Sequence, residues 1–370
     1  MVDDAVIPTD PGIALGFRRS PRPRTLWSAA SDDLSTKVTV PSIQVFDPRE
    51  ARQKFRAENG TEVPLAAAGL ASHSQRDRCL IDMATDDRNG YRTLAIATSE
   101  IVTRLEALSV EMPNCADALA PIVSAAKASL NSQTPLKLAP MLLVGAPGTG
   151  KTRFMNKVAG ILGPGYCRLS MPSLSGAQPL SGTDLTWKSP RPGKVLTTLM
   201  RGKDANIVIG LDEIDKVFAN QPGESPLDIL HELWESESAR EFVDDCVGLK
   251  IDASAIVWLA TANNLDGIRP SILDRADIIE IPLPDRHQMT VIICQLYREL
   301  AAHWPDWFEA DVSSVIIDML AAQHPRLARR LLQSAMIGAV ARGARSVGEI
   351  DLAGEISGKM KGSKPRIGFF

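Results

Sequence analysis

Short segments with the character of buried strands recur through the middle of the chain, each followed at once by polar or glycine-rich residues. They are Met141–Val144, Tyr166–Met171, Ile207–Leu211 and Ala255–Ala260. Mostly apolar runs of this length suit strands covered on both faces, although Arg168 and Ser170 interrupt the second and Gly210 the third. Between them, Arg153–Leu162 and Val195–Met200 carry helical patterning, the first ended by Gly163-Pro164-Gly165. Strands alternating with helices predict an α/β fold, a parallel sheet with helices on both faces, over 138–284. Ligands of such sheets bind beyond the carboxyl ends of the strands.

The flanks read differently. Ile101, Leu105 and Leu108 recur at helical spacing, as do Leu119, Val123, Ala126 and Leu130, with Pro113 and Asn114 breaking the two runs. Residues 65–137 are therefore expected to be a mostly α-helical region that packs on the sheet domain or presents a partner surface. Ahead of it, 1–64 has scattered prolines and the basic segment Arg18–Arg24, and is expected to be an irregular, partly disordered arm. After the sheet, Ile293, Leu296 and Leu300, then Leu327, Leu331, Ala335 and Gly338, mark the core stripes of a small helical lid over 285–356. Residues 357–370 are a basic, then apolar tail.

Composition narrows the setting. The 370 residues carry a net charge of −3 and are 44% hydrophobic, ordinary globular values that give no overall attraction to nucleic acid or to an anionic membrane. The five cysteines are an odd number, far apart and without metal-ligand spacing, as expected of thiols in a reducing cytoplasm. The start of the chain lacks a signal peptide and no run has the length of a membrane span, so the expected location is cytoplasmic.

The chemistry begins at Gly145-Ala146-Pro147-Gly148-Thr149-Gly150-Lys151-Thr152. Glycine, four residues, Gly-Lys-Thr, between a strand and a helix, is the Walker A phosphate-binding loop. Glycines let the backbone aim N–H groups at phosphate oxygens, and the following helix adds its positive end. Lys151 is placed to reach the β- and γ-phosphates and Thr152 to ligate Mg²⁺, with Arg153 next to them. Asp212-Glu213 follow the third strand in the form of a Walker B motif. Asp212 would hold the metal and Glu213 would polarise the attacking water.

From about Leu138 to Ile356 the sequence resembles the ATPase module of the AAA+ superfamily, most closely its Lon branch. Leu211–Lys216 (LDEIDK) and Leu230–Val247 carry the resemblance with the two Walker motifs. It implies ATP and Mg²⁺ as cofactors, and ATP over GTP. Asn263, with Asn264 as the alternative, matches sensor 1. Arg275 in Pro270–Arg275 matches the arginine finger that reaches a neighbour's γ-phosphate, which makes the expected unit a homo-oligomeric ring, a hexamer. Arg326 in Gln323–Leu327 falls at sensor 2, with Arg329 or Arg330 as alternatives. Trp187 falls on the aromatic position of the Lon pore loop, which grips polypeptide, while Lys188 replaces the family's aliphatic residue.

The resemblance thus implies an ATPase that remodels, unfolds or threads a protein substrate. The tail past the lid is too short for a further domain, so an ATPase without its own peptidase is expected, with a separate effector or peptidase as a possible partner. Two other readings stay open: a nucleic-acid-linked switch using Arg18–Arg24, and an ATP-gated assembly scaffold.

Overall fold

The computed structural model describes residues 40–64, 73–163, 165–174, 176–184, 186–217 and 225–352. The Arg18–Arg24 segment and the 357–370 tail lie outside the described residues.

The described residues open with β1 (Ser42–Gln44), α1 (Pro48–Asn59), α2 (Gln75–Ala84), β2 (Tyr91–Thr93), α3 (Ser99–Glu111) and α4 (Ala116–Ser132). The sheet domain follows: β3 (Met141–Val144), α5 (Lys151–Leu162), β4 (Tyr166–Ser170), α6 (Gln178–Ser181), α7 (Lys194–Arg201) and β5 (Val208–Asp212). It continues with α8 (Leu230–Leu233), α9 (Ser236–Arg240), β6 (Phe242–Asp244), β7 (Leu249–Ile251), β8 (Val257–Ala262), α10 (Pro270–Leu273) and β9 (Asp277–Glu280). Three helices end the described chain: α11 (Arg286–Ala301), α12 (Ser314–Ala321) and α13 (Pro325–Ala341).

Five strands form one parallel sheet in the order β4-β5-β8-β3-β9. Every residue of β5 and β8 is buried, which is why their sequences run apolar without alternation. The α/β architecture is the one that the alternation of strands and helices predicts. Gly210, which interrupts the apolar run of β5, lies against α5: a Cβ there would meet Met155 Sδ at 2.8 Å and the Tyr166 hydroxyl at 3.0 Å. Close packing is its reason.

The structure corrects several expectations. The stretch read as part of an irregular arm holds α1, started by the Asp47 side chain accepting from Arg49 N and by Pro48, and ended by Gly60 in the left-handed region. Its buried residues, Pro48, Ala51 and Phe55, are few among charged neighbours, so the periodicity is faint. Phe55, Leu80 and Met83 nevertheless join Ile209, Leu211 and Trp258 in one core, so the early helices are built into the sheet domain. Strand β9 and the antiparallel β6–β7 hairpin are additional to the expected strands. The fourth predicted strand begins at Val257 and extends to Ala262, two residues later at each end.

The 285–352 helices have their own core, in which Leu296, Tyr297 and Leu300 of α11 pack with Leu331, Leu332 and Ala335 of α13. A capping box at Asp285 and Gln288 fixes where α11 begins. His324 caps α13, its Nδ1 accepting from Leu327 N at 3.2 Å, and Pro325 follows at the first helical position.

Candidate functional site

The carboxyl ends of β3, β4, β5 and β8 open into a cleft of about 450 Å³ whose far wall comes from α11 and α13. The loop between β3 and α5 is its floor. At Gly145 a Cβ would lie 2.3 Å from Ile281 O, so only glycine lets this backbone pass the end of β9. Gly150, with φ 103°, supplies the left-handed turn that starts α5. The N–H groups of the first turn of α5 therefore face the cleft together with the positive end of its dipole.

Lys151 is buried and curls back over this loop. Its ammonium donates to Gly145 O at 2.6 Å, Ala146 O at 3.1 Å and Asn263 Oδ1 at 3.3 Å. Burial pulls its pKa below the ordinary value, and the carboxylates of Asp215, Asp212 and Glu213 oppose that shift.

Asp212 is the hub of the polar end. Its Oδ1 accepts from Thr152 Oγ1 at 2.8 Å and from Thr261 Oγ1 at 2.6 Å, while its Oδ2 pairs with the Arg168 guanidinium at 3.0 Å. Thr261 Oγ1 in turn accepts from Glu213 N at 2.9 Å. Glu213 holds left-handed backbone angles (φ 60°, ψ 53°), unfavourable for a residue with a Cβ. Its side chain turns to Lys216, 2.5 Å away. A hydroxyl and a carboxylate side by side are hard oxygen donors of the kind Mg²⁺ takes when phosphate oxygens and waters complete its shell. These residues fit a nucleotide with Mg²⁺.

Of the residues singled out in the sequence, Pro147 through Arg153, Asp212, Glu213, Asn263 and Arg326 line this cleft. Arg329 lines it as well, whereas Arg330 is not among its lining residues. Arg275 stands outside it: its Nη2 pairs with Glu235 Oε2 at 3.0 Å, its Nη1 donates to Ser271 O at 2.7 Å, and its Nε is buried without a hydrogen-bond partner. Trp187 and Lys188 also lie outside the cleft. Trp187 is 59% exposed, on a loop whose base Thr183 N and Arg191 O close at 2.9 Å. That base is tied to the β6–β7 hairpin. Buried Asp244 accepts from Gly193 N (2.7 Å), Cys246 N (3.0 Å) and Val247 N (3.1 Å), and Asp245 N donates to Ser181 O at 2.7 Å.

Several lining residues escape sequence reasoning. Met112 and Asn114 come from the turn between α3 and α4. Asn114 Nδ2 donates to Thr149 O at 3.0 Å and Pro282 O at 3.1 Å, stapling that turn to the glycine-rich loop and to the segment entering α11. Arg168 sits in β4, where a cation near a carboxyl end is the signal to look for. Leu296, expected to be lid core only, is buried there and also lines the cleft, beside Ile292.

The family model for the ATPase family associated with various cellular activities (AAA) matches residues 141–283, the segment that builds the sheet and this loop. Residues 141–283 thus resemble an AAA module. Lon proteases match the same region. The mitochondrial Lon protease homolog of Schizosaccharomyces pombe is 36% identical over 141 residues, 38% of this chain and 13% of that protein. The Lon protease of Chloroflexus aurantiacus is 34% identical over 220 residues, 58% of this chain and 26% of that protein. The matches thus span about a quarter or less of these relatives' lengths.

Solved structures of Hsp104 share the fold of the AAA module and its surroundings. A Saccharomyces cerevisiae Hsp104:casein complex superposes with a TM-score of 0.55 over 79% of this chain and 53% of that one, at 17% identity. A closed-state reconstruction of Hsp104 with ATPγS and FITC casein gives 0.54 over 65% and 47%, at 20% identity. Among the described residues, no helix is long and apolar enough to cross a membrane.

Proposed function

We propose that the chain hydrolyses ATP at the interfaces of a homo-oligomeric ring, by resemblance a hexamer, and uses the stroke to remodel or thread a protein substrate. The observation that carries the reading is the convergence of Lys151, Thr152, Asp212 and Asn263 at the mouth of one glycine-rich loop.

In this reading the loop N–H groups and Lys151 bind the β- and γ-phosphates and fix them in line for attack. Thr152 and Asp212 would hold Mg²⁺, which would offset the charge developing on the phosphate oxygens. Glu213, freed from Lys216, takes the proton of the attacking water, and Asn263 orients that water. Thr261 holds the Asp212 carboxylate and the Glu213 backbone in register. Arg326 or Arg329 brings the lid onto the nucleotide. Arg275 serves the cleft of the next subunit, for which its place outside its own cleft suits it. Closure of lid on sheet is then a hinge motion driven by nucleotide contacts.

Substrate is assigned to polypeptide because the large, exposed aromatic Trp187 sits on a loop anchored at its base, as a grip on an extended chain requires. The test is ATPase activity with and without casein as an unfolded protein probe. Trp187→Ala is expected to keep basal hydrolysis and lose stimulation by casein, together with casein remodelling. Full stimulation and remodelling in that variant would reject polypeptide threading.

A further inference from the structure

Beside the nucleotide cleft, one carboxylate faces three cations from two other helices. Glu299 of α11 pairs with Arg153 at 2.5 Å and Lys157 at 3.2 Å, both on the helix that follows the phosphate loop. It also pairs with Arg329 of α13 at 3.5 Å. Lys157 bridges onward to Glu111 of α3 at 2.7 Å. Arg153 and Lys157 are one helical turn apart, so both reach the same acid.

The cluster is half-buried, with Glu299, Arg153 and Lys157 side chains 27%, 27% and 34% exposed, so its charges are screened less than those of a surface pair. Arg153 and Arg329, and Glu111 at the far end of the cluster, also line the nucleotide cleft. A guanidinium shared between a carboxylate and a site for polyphosphate has two competing partners. The acid's hold on Arg329 is the longest of the three contacts and hence the first to yield.

We propose that Glu299 is a positioning residue that latches Arg329: it ties the lid to the helix after the glycine-rich loop through Arg153 and Lys157, holds Arg329 of the same lid, and yields Arg329 to the phosphates when a nucleotide enters. The proposal rests on the nucleotide-binding reading of the cleft. It makes Arg329, one turn beyond Arg326, the lid residue whose partner changes with nucleotide state, and it gives nucleotide binding a cost that Glu299 sets. A carboxylate with a merely structural role would have the opposite signature, since its loss would loosen the site.

The experiment is a fluorescence titration of the full chain with a labelled, slowly hydrolysed ATP analogue and Mg²⁺, on wild type, Glu299→Gln, Arg329→Gln and the double variant. If the wild type does not bind the analogue, the nucleotide-binding reading itself fails. If it binds, Glu299→Gln is expected to tighten binding by about fivefold, the size of a partly exposed ion pair released to another partner. Arg329→Gln is expected to weaken binding, and adding Glu299→Gln to it to give no tightening. Weaker or unchanged binding in Glu299→Gln overturns the latch. So does tightening that persists without Arg329, because the competition then runs through Arg153. Should Glu299→Gln not fold, Glu299→Asp, which retracts the carboxylate from Arg329 first, is expected to tighten binding by a smaller factor, and unchanged or weaker binding there counts equally against the proposal.

Discussion

Thr152 Oγ1 donates to Asp212 Oδ1 at 2.8 Å, joining the first turn of α5 directly to the carboxyl end of β5. The two motifs recognised separately in the sequence are one hydrogen-bonded unit. If that unit is the metal site, Asp212→Asn should cost several kcal/mol of transition-state stabilisation, a fall in phosphate release on the order of 10³-fold. Chelation of Mg²⁺ by EDTA should produce a comparable loss in the wild type, and Thr152→Ser, which keeps the hydroxyl, should retain activity. Hydrolysis that survives EDTA would remove the metal from the scheme.

Arg275 is held by Glu235 and Ser271, away from its own cleft. A residue acting in trans has a distinctive genetic signature. Arg275→Ala and Lys151→Ala are each expected to be inactive as ATPases, while an equimolar mixture regains activity, because a subunit with an intact loop then meets a neighbour with an intact Arg275. Phosphate release from the mixture that stays at the level of the separate variants would place Arg275 in a structural role.

Asp244 gives a dependence on pH. Burial raises its carboxyl from the ordinary 3.8 to about 6, although the N–H groups of Gly193, Val247 and Cys246 favour the ionised form. With the folded pKa above the unfolded one, the folded state binds more protons across this interval. The stability this group contributes is therefore fully present below about pH 4 and lost as pH rises through 6. The interval corresponds to about 3 kcal/mol. In urea unfolding, the stability difference between wild type and Asp244→Asn should fall by up to that amount from pH 4 to pH 7 and stay level above. An unchanged difference would mean that Asp244 does not titrate in this window.

What could be read from the sequence follows from how local each requirement is. The glycine-rich loop at 145–150 is legible because its glycines answer to local backbone geometry, and the place of Asp212 because it ends an apolar strand. Strand β9 is not: Asp277 and Glu280 flank only two isoleucines, since it is an edge strand half open to solvent. The β6–β7 hairpin has strands of three residues each, too short for alternation to register. Helix α1 carried its signals in Asp47, Pro48 and Gly60, outweighed by a charged interior. Met112 and Asn114 are brought to the cleft by tertiary packing alone, and no spacing encodes that.

Asn114 spends both amide hydrogens on carbonyls from separate parts of the chain, Thr149 in the phosphate loop and Pro282 before α11. Its loss would strand two acceptors at once. It also makes the short turn at 113–115 a built-in reporter: whatever stiffens the loop or the hinge slows the opening of this turn, so its backbone hydrogen exchange records occupancy of a cleft some of whose key residues lie far away in sequence.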